Sequence, residues 1–142
     1  MTEHTVYEDQ WGSIVDHPAE GILEIRWLES TAGMKKSEFN DWMTQYATQV
    51  ERTGRKLGLV DAVSFQMDSE NMDGKWRDEN IIPRYNKAGM RGFAFLLPEG
   101  MPMIGETPSP EEPGRFPTGY FGTRDDAVAW LASKASRLGW AR

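Results

Sequence analysis

The 142 residues predict an α/β fold: a mixed, partly parallel sheet with an N-terminal β-hairpin region and about three helices packed on it. Three observations carry that expectation. Residues 22–28 alternate, with Leu23, Ile25 and Trp27 on one face and Glu24 and Arg26 on the other, as in a strand with one solvated face. Phe39, Trp42, Met43, Tyr46, Ala47 and Val50 recur at steps of three and four, which places them on one helical stripe. Residues 56–62 and 91–97 are short, continuous apolar runs, the pattern of strands covered on both faces. Strands of that kind alternating with helices imply parallel neighbours joined by crossovers.

Taken in order, residues 5–8 and 12–16 are short strands separated by the polar Asp9 and Gln10. His17 to Gly21 is a turn, with Pro18 and Gly21 as its breakers. The first helix covers 37–53, with Ser37 as N-cap, Glu38 in the electropositive first turn and Gly54 at the left-handed end. Residues 73–88 are polar and helical, restarted or kinked at Pro83 and ended by Gly89. Residues 98–118 hold six of the eight prolines together with Gly100, Gly105 and Gly114, and no regular element is expected there. A strand over 119–122 follows. Thr123 then caps a last helix, with Asp126 in a capping-box place, an apolar stripe of Ala127, Trp130, Leu131, Ala135 and Leu138, and Gly139 at its end. The whole of 1–142 is expected to be one domain.

Charge and composition narrow the function classes. A net charge of −6 and a pI near 4.9 argue against a nucleic-acid footprint, which needs clustered Lys and Arg. The absence of cysteine removes disulfides, thiolate metal sites and thiol catalysis. His4 and His17, the only histidines, lack metal-ligand spacing, so no metal and no cofactor is expected. No G-x-S-x-G, Walker loop or dinucleotide fingerprint occurs. Residues 1–5 lack the basic and apolar regions of a signal peptide, and no apolar run reaches the ~20 residues that span a bilayer. A cytoplasmic protein without stable membrane insertion is expected.

The C-terminal stretch has the pattern F-x-x-x-x-x-A-x-x-W-L, carried by Phe121, Ala127, Trp130 and Leu131. It is similar to the closing segment of the SpoIIAA-like family, small bacterial proteins related in fold to anti-sigma-factor-antagonist (STAS) domains and the CRAL-TRIO lipid carriers. Trp76, Arg77 and Asp78 resemble the Trp-x-Asp of that family. The resemblance, over roughly 20–135, implies the fold and, as a ligand, a lipid or another amphipathic molecule. Asp68 and Ser69 resemble the phosphorylated Asp-Ser turn of STAS antagonists, which makes Ser69 a candidate phospho-acceptor; both residues also suit capping of the helix that follows.

The candidate site residues follow from this reading. Asp61 ends a buried strand, where open α/β sheets bind ligands; it can serve as an acid or base, or accept bonds from the next loop's N–H groups. Trp76, Arg77, Arg84, Tyr85 and Lys87 crowd one region, where Arg84 and Lys87 would receive an acidic headgroup or carboxylate, or remain a solvated face. Met101, Met103, Ile104 and Phe116 would line an apolar pocket between the sheet and the 98–118 loop; soft methionine surface suits such walls. The expected function is a non-enzymatic binding or regulatory module that carries an amphipathic small molecule. The alternatives are a STAS-type switch with a regulatory protein partner, acting through Ser69, and a small enzyme using Asp61. Edge strands and exposed apolar residues also suit a homodimer, and the sequence does not choose between monomer and dimer.

Overall fold

Three antiparallel strands open the chain: β1 (His4–Glu8), β2 (Gly12–His17) and β3 (Ile22–Trp27). The computed structural model describes residues 3–67, 74–97, 105–106 and 116–137. The β2–β3 hairpin pairs Ile14 with Ile25 and His17 with Ile22, and its turn closes through the Gly21 N–H donating to the His17 carbonyl. His17 is therefore the last residue of a strand as well as the start of the turn.

A 3-10 turn (Glu29–Gly33) leads into α1 (Lys36–Thr53). This helix starts one residue earlier than the pattern predicts. Lys35 takes the capping position in place of Ser37, because the Glu38 carboxylate folds back to accept the Lys35 N–H at 2.8 Å. Gly54, at φ 74°, closes the helix in the left-handed region that glycine enters without steric cost.

The chain then alternates: β4 (Leu57–Asp61), α2 (Gly74–Asn80), α3 (Ile82–Ala88) and β5 (Gly92–Leu96). The break between α2 and α3 falls at Ile81, just before Pro83, which fits the first turn of a new helix because it has no N–H to place. A two-residue strand β6 (Gly105–Glu106), β7 (Thr118–Phe121) and α4 (Arg124–Arg137) complete the described elements. Thr123 caps α4 by accepting the Asp126 N–H at 3.2 Å. The strand β6 corrects the expectation that 98–118 holds no regular element: Gly105 and Glu106, which lie between its prolines, pair antiparallel with Tyr120 and Gly119. Gly139 and Leu138 lie outside the described residues.

The sheet order is β1-β2-β3-β4-β5-β7-β6, parallel across β3–β4–β5–β7 and antiparallel at both ends. The fold is α/β with a mixed sheet, as expected. Helices cover both faces. Ile14, Leu23, Ile25, Trp27, Val60 and Phe93 pack with residues of α1 and α3, whereas Ile22, Leu57, Leu59 and Ala94 pack with Ala127 and Leu131 of α4. The second face overturns one expectation. Glu24, read as solvated, is 0% exposed, because β3 is an interior strand and α4 packs over its polar face.

Candidate functional site

Period-two alternation on three parallel strands sends Ile25 and Trp27, Val60, and Phe93 and Phe95 to the face that α1 and α3 cover. From the helices come Phe39 and Met43 of α1, Ile82 and Tyr85 of α3, and Arg77 and Asp78 of α2. Between them lies a cavity of about 510 Å³, within the range of small-molecule sites. Its remaining walls are Ala62, Phe65, Phe116, Thr118 and Tyr120.

The lining is a set of aromatic rings at mostly tilted angles. Trp27 lies 5.1 Å from Phe65 and 5.8 Å from Phe39, centroid to centroid. Phe93 is 5.1 Å from Tyr85 and 5.4 Å from Phe116, and Phe95 stacks on Tyr120 at 5.4 Å. Rings locked against one another in this way are rigid, so the space between them does not collapse as it would among flexible aliphatic chains.

Polar groups are few. The Arg77 and Asp78 side chains, both substantially exposed, form an ion pair at 3.2 Å. Tyr85 is buried, and its hydroxyl has no hydrogen-bond partner among the described residues. Burial pushes that hydroxyl's pKa above the ordinary tyrosine value, against the pull of the Arg77 and Arg84 charges, so the phenol stays neutral.

A second polar cluster occupies the α4 face. The Glu24 carboxylate meets His17 Nε2 at 2.7 Å through Oε1, and through Oε2 meets Arg124 at 2.7 Å and Arg26 Nε at 3.0 Å. Arg124 also reaches Asp61 at 3.1 Å, and Arg26 pairs with Glu3. Burial alone would raise the Glu24 pKa, but the bonds from Arg124, Arg26 and His17 outweigh it and hold the carboxyl below its ordinary value. Every carboxylate of this cluster is engaged, which is the arrangement of a structural ion network.

The structure divides the predicted site residues. Tyr85 and Phe116 meet at the cavity, 6.3 Å apart. Asp61 does not join them: it lies on the opposite face, paired with Arg124 and accepting the Val63 N–H at 3.2 Å, so it acts as a loop cap and ion-pair partner. Arg84 turns toward α1, where Glu51 binds it at 2.6 and 2.9 Å and Thr48 at 3.2 Å, away from the cavity. Trp76 is half-buried against the aromatic core. Ser69, Met101, Met103 and Ile104 lie outside the described residues.

Of the residues that build most of the wall, Trp27, Phe39, Phe93 and Phe95 read from the sequence only as parts of a strand or helix face, and Phe65 carries no reading of its own. For Trp27, Phe93 and Phe95 the signal was large rings at alternating strand positions, whereas Phe39 on α1 and Phe65 in the loop after β4 carry no such pattern. Among the described residues, no three His, Asp or Glu side chains gather to hold a metal, and no helix is long and apolar enough to cross a membrane. Comparison with known proteins leaves the geometry to speak for itself: no family model, curated protein or solved structure matches this chain.

Proposed function

We propose that this protein is a non-enzymatic binding module that holds a small apolar or amphipathic molecule between the sheet and helices α1 to α3. One observation carries the reading: a 510 Å³ cavity walled by rigid aromatic side chains, with its few polar groups at particular points. The resemblance to the SpoIIAA-like family, with its kinship to lipid carriers, points the same way. Asp61 supports no catalytic reading, since its oxygens already serve Arg124 and the Val63 N–H on the other face of the sheet.

Native mass spectrometry before and after organic extraction tests the proposal directly, and the same spectra report whether two copies associate. A fluorescent apolar probe, N-phenyl-1-naphthylamine, supplies the second arm. Ala62 is half-buried on the cavity wall, and Ala62→Trp adds a ring to the vacant space. The expected result is micromolar binding by the natural chain and at least a tenfold loss in Ala62→Trp, with unchanged circular dichroism. A natural chain that is empty as purified and does not bind the probe overturns the reading.

A further inference from the structure

The rings around the cavity fall into two groups. Trp27 of β3, Phe39 of α1 and Phe65 after β4 touch one another at centroid distances of 5.1 to 6.2 Å. Phe93 of β5, Tyr85 of α3 and Phe116 do the same at 5.1 to 6.3 Å. All six line the cavity, and among the described residues no ring contact joins one group to the other.

The strand between them accounts for the gap. β4 lies between β3 and β5 in the sheet and carries no aromatic residue. It sends Val60 to the cavity, and Ala62 follows just past its end. At Gly58, the next position of that face toward the start of the strand, the Phe93 ring occupies the space where a Cβ would stand. The result is a low aliphatic floor over β4, with one group of rings on the β3 side and the other on the β5 side.

Charge bears on the guest as well. Arg77 and Asp78 are the only charged residues of the described lining, and each is the other's partner. A charged group carried into the cavity would leave water with no unpaired counter-ion to receive it, which is strongly unfavourable.

We propose that the cavity takes a neutral, flat, polycyclic aromatic molecule, which lies over β4 and makes with both groups of rings the contacts that they do not make with each other. The inference rests on the binding reading above and narrows it from apolar or amphipathic molecules in general to one chemical class. Ring pairs in offset or edge-to-face geometry contribute beyond the area they bury, so an aromatic guest gains on each side what a saturated one of the same skeleton does not. The saturated guest carries more hydrogens and more apolar surface, so release from water alone favours it. The two effects have opposite signs, and the measured preference tells which one the walls impose.

Phenanthrene, perhydrophenanthrene and phenanthrene-9-carboxylate share one skeleton, and each can be titrated by displacement of N-phenyl-1-naphthylamine. The natural chain is expected to bind phenanthrene about fivefold tighter than perhydrophenanthrene, with the carboxylate weakest. Phe65→Leu and Phe116→Leu each remove one ring from one group and keep an apolar side chain at a half-buried position. Each variant is expected to reduce the preference to about twofold or less, while its affinity for perhydrophenanthrene stays within about twofold of the natural chain's, which also shows that the variant is folded.

A phenanthrene preference that is absent from the natural chain, or that survives in both variants, overturns the aromatic class. Loss of the preference in only one variant overturns the placement between the two groups. If Ala62→Trp still abolishes perhydrophenanthrene binding in these cases, the cavity remains a binding site of broader taste. Tightest binding of the carboxylate overturns the neutral class. No binding of any probe overturns both the inference and the reading beneath it.

Discussion

The two faces of this sheet are built from the same strands and end up different in kind. Toward α4 the fully buried side chains are small and aliphatic: Ile22, Leu57, Leu59, Ala94, Ala127 and Leu131 are all 0–3% exposed, with the Phe121 and Trp130 rings partly buried against them. Flexible chains of that size interdigitate to close packing. Toward α1 to α3 the same alternation presents Trp27, Phe93 and Phe95, and the rings brace one another around open space. Gly58 marks how tightly the rings are set, since a Cβ at that position would collide with the Phe93 ring. The difference also extends to charge. The filled face buries a carboxylate with three cationic or imidazole partners, whereas the hollow face buries a neutral hydroxyl with none among the described residues. One face spends its sequence on closure, and the other leaves room and an unmade bond.

That contrast can be broken most sharply by deleting side chains on each face. Leu131→Ala, in the filled face, is expected to cost about 3 kcal/mol, the transfer term plus a new cavity. Met43→Ala, at the half-buried cavity wall, is expected to cost about 1 kcal/mol, because the space beside it is already open. Urea unfolding of both variants is the measurement. Equal losses would mean that the hollow face is filled in solution.

A smaller effect is expected at the buried carboxylate. Glu24→Gln keeps the shape but removes the charge that Arg26 and Arg124 share, and about 2 kcal/mol of stability should go with it. The sign of the pH dependence follows from the direction of the shift. The folded chain holds Glu24 below its ordinary value of 4.5, so this contribution is complete above about pH 4.5 and is lost as the pH falls through the folded-state value. Midpoints of thermal unfolding between pH 6 and 3 should fall less steeply in Glu24→Gln than in the natural chain. Parallel profiles would remove Glu24 from the acid response.

Much of the fold was legible because it follows from periodicity. The alternation of 22–28, the stripe from Phe39 to Val50 and the two apolar runs each became the expected element, and Pro83 restarted a helix for the local reason given. The hidden part was tertiary. Glu24 looks like an outward residue in a single strand, and only the docking of α4 with Arg124, a hundred residues away, makes it interior. The strand β6 consists of two residues, too short for any alternation to register, and its pairing depends wholly on β7. Of the candidate site, Tyr85 and Phe116 were found because they stand in aromatic or loop context. Asp61 accepts the Val63 N–H, one of the two roles its strand-end position suggests, but that position carries no information on which face an acid turns to, and its partner Arg124 lies 63 residues on.

Arg84 gives the smallest expected effect and the finest test of the same contrast. The sequence groups it with Trp76 and Tyr85, so a headgroup site there would make it part of ligand recognition. In the fold its guanidinium is held by Glu51 and Thr48 on the α1 side of α3, while Tyr85, one residue on, turns into the core. The pair with Glu51 is partly exposed, and exposed pairs contribute little, so Arg84→Ala should cost about 0.5 kcal/mol in urea unfolding. Its affinity for a neutral apolar probe should match the natural chain's within twofold. A tenfold weaker affinity would instead tie the outer surface of α3 to the cavity, and the separation between a recognising inner face and a merely solvated outer one would no longer hold. Neighbouring residues on one helix thus report on different surfaces, and the probe affinity of Arg84→Ala beside that of Ala62→Trp measures how far those surfaces are independent.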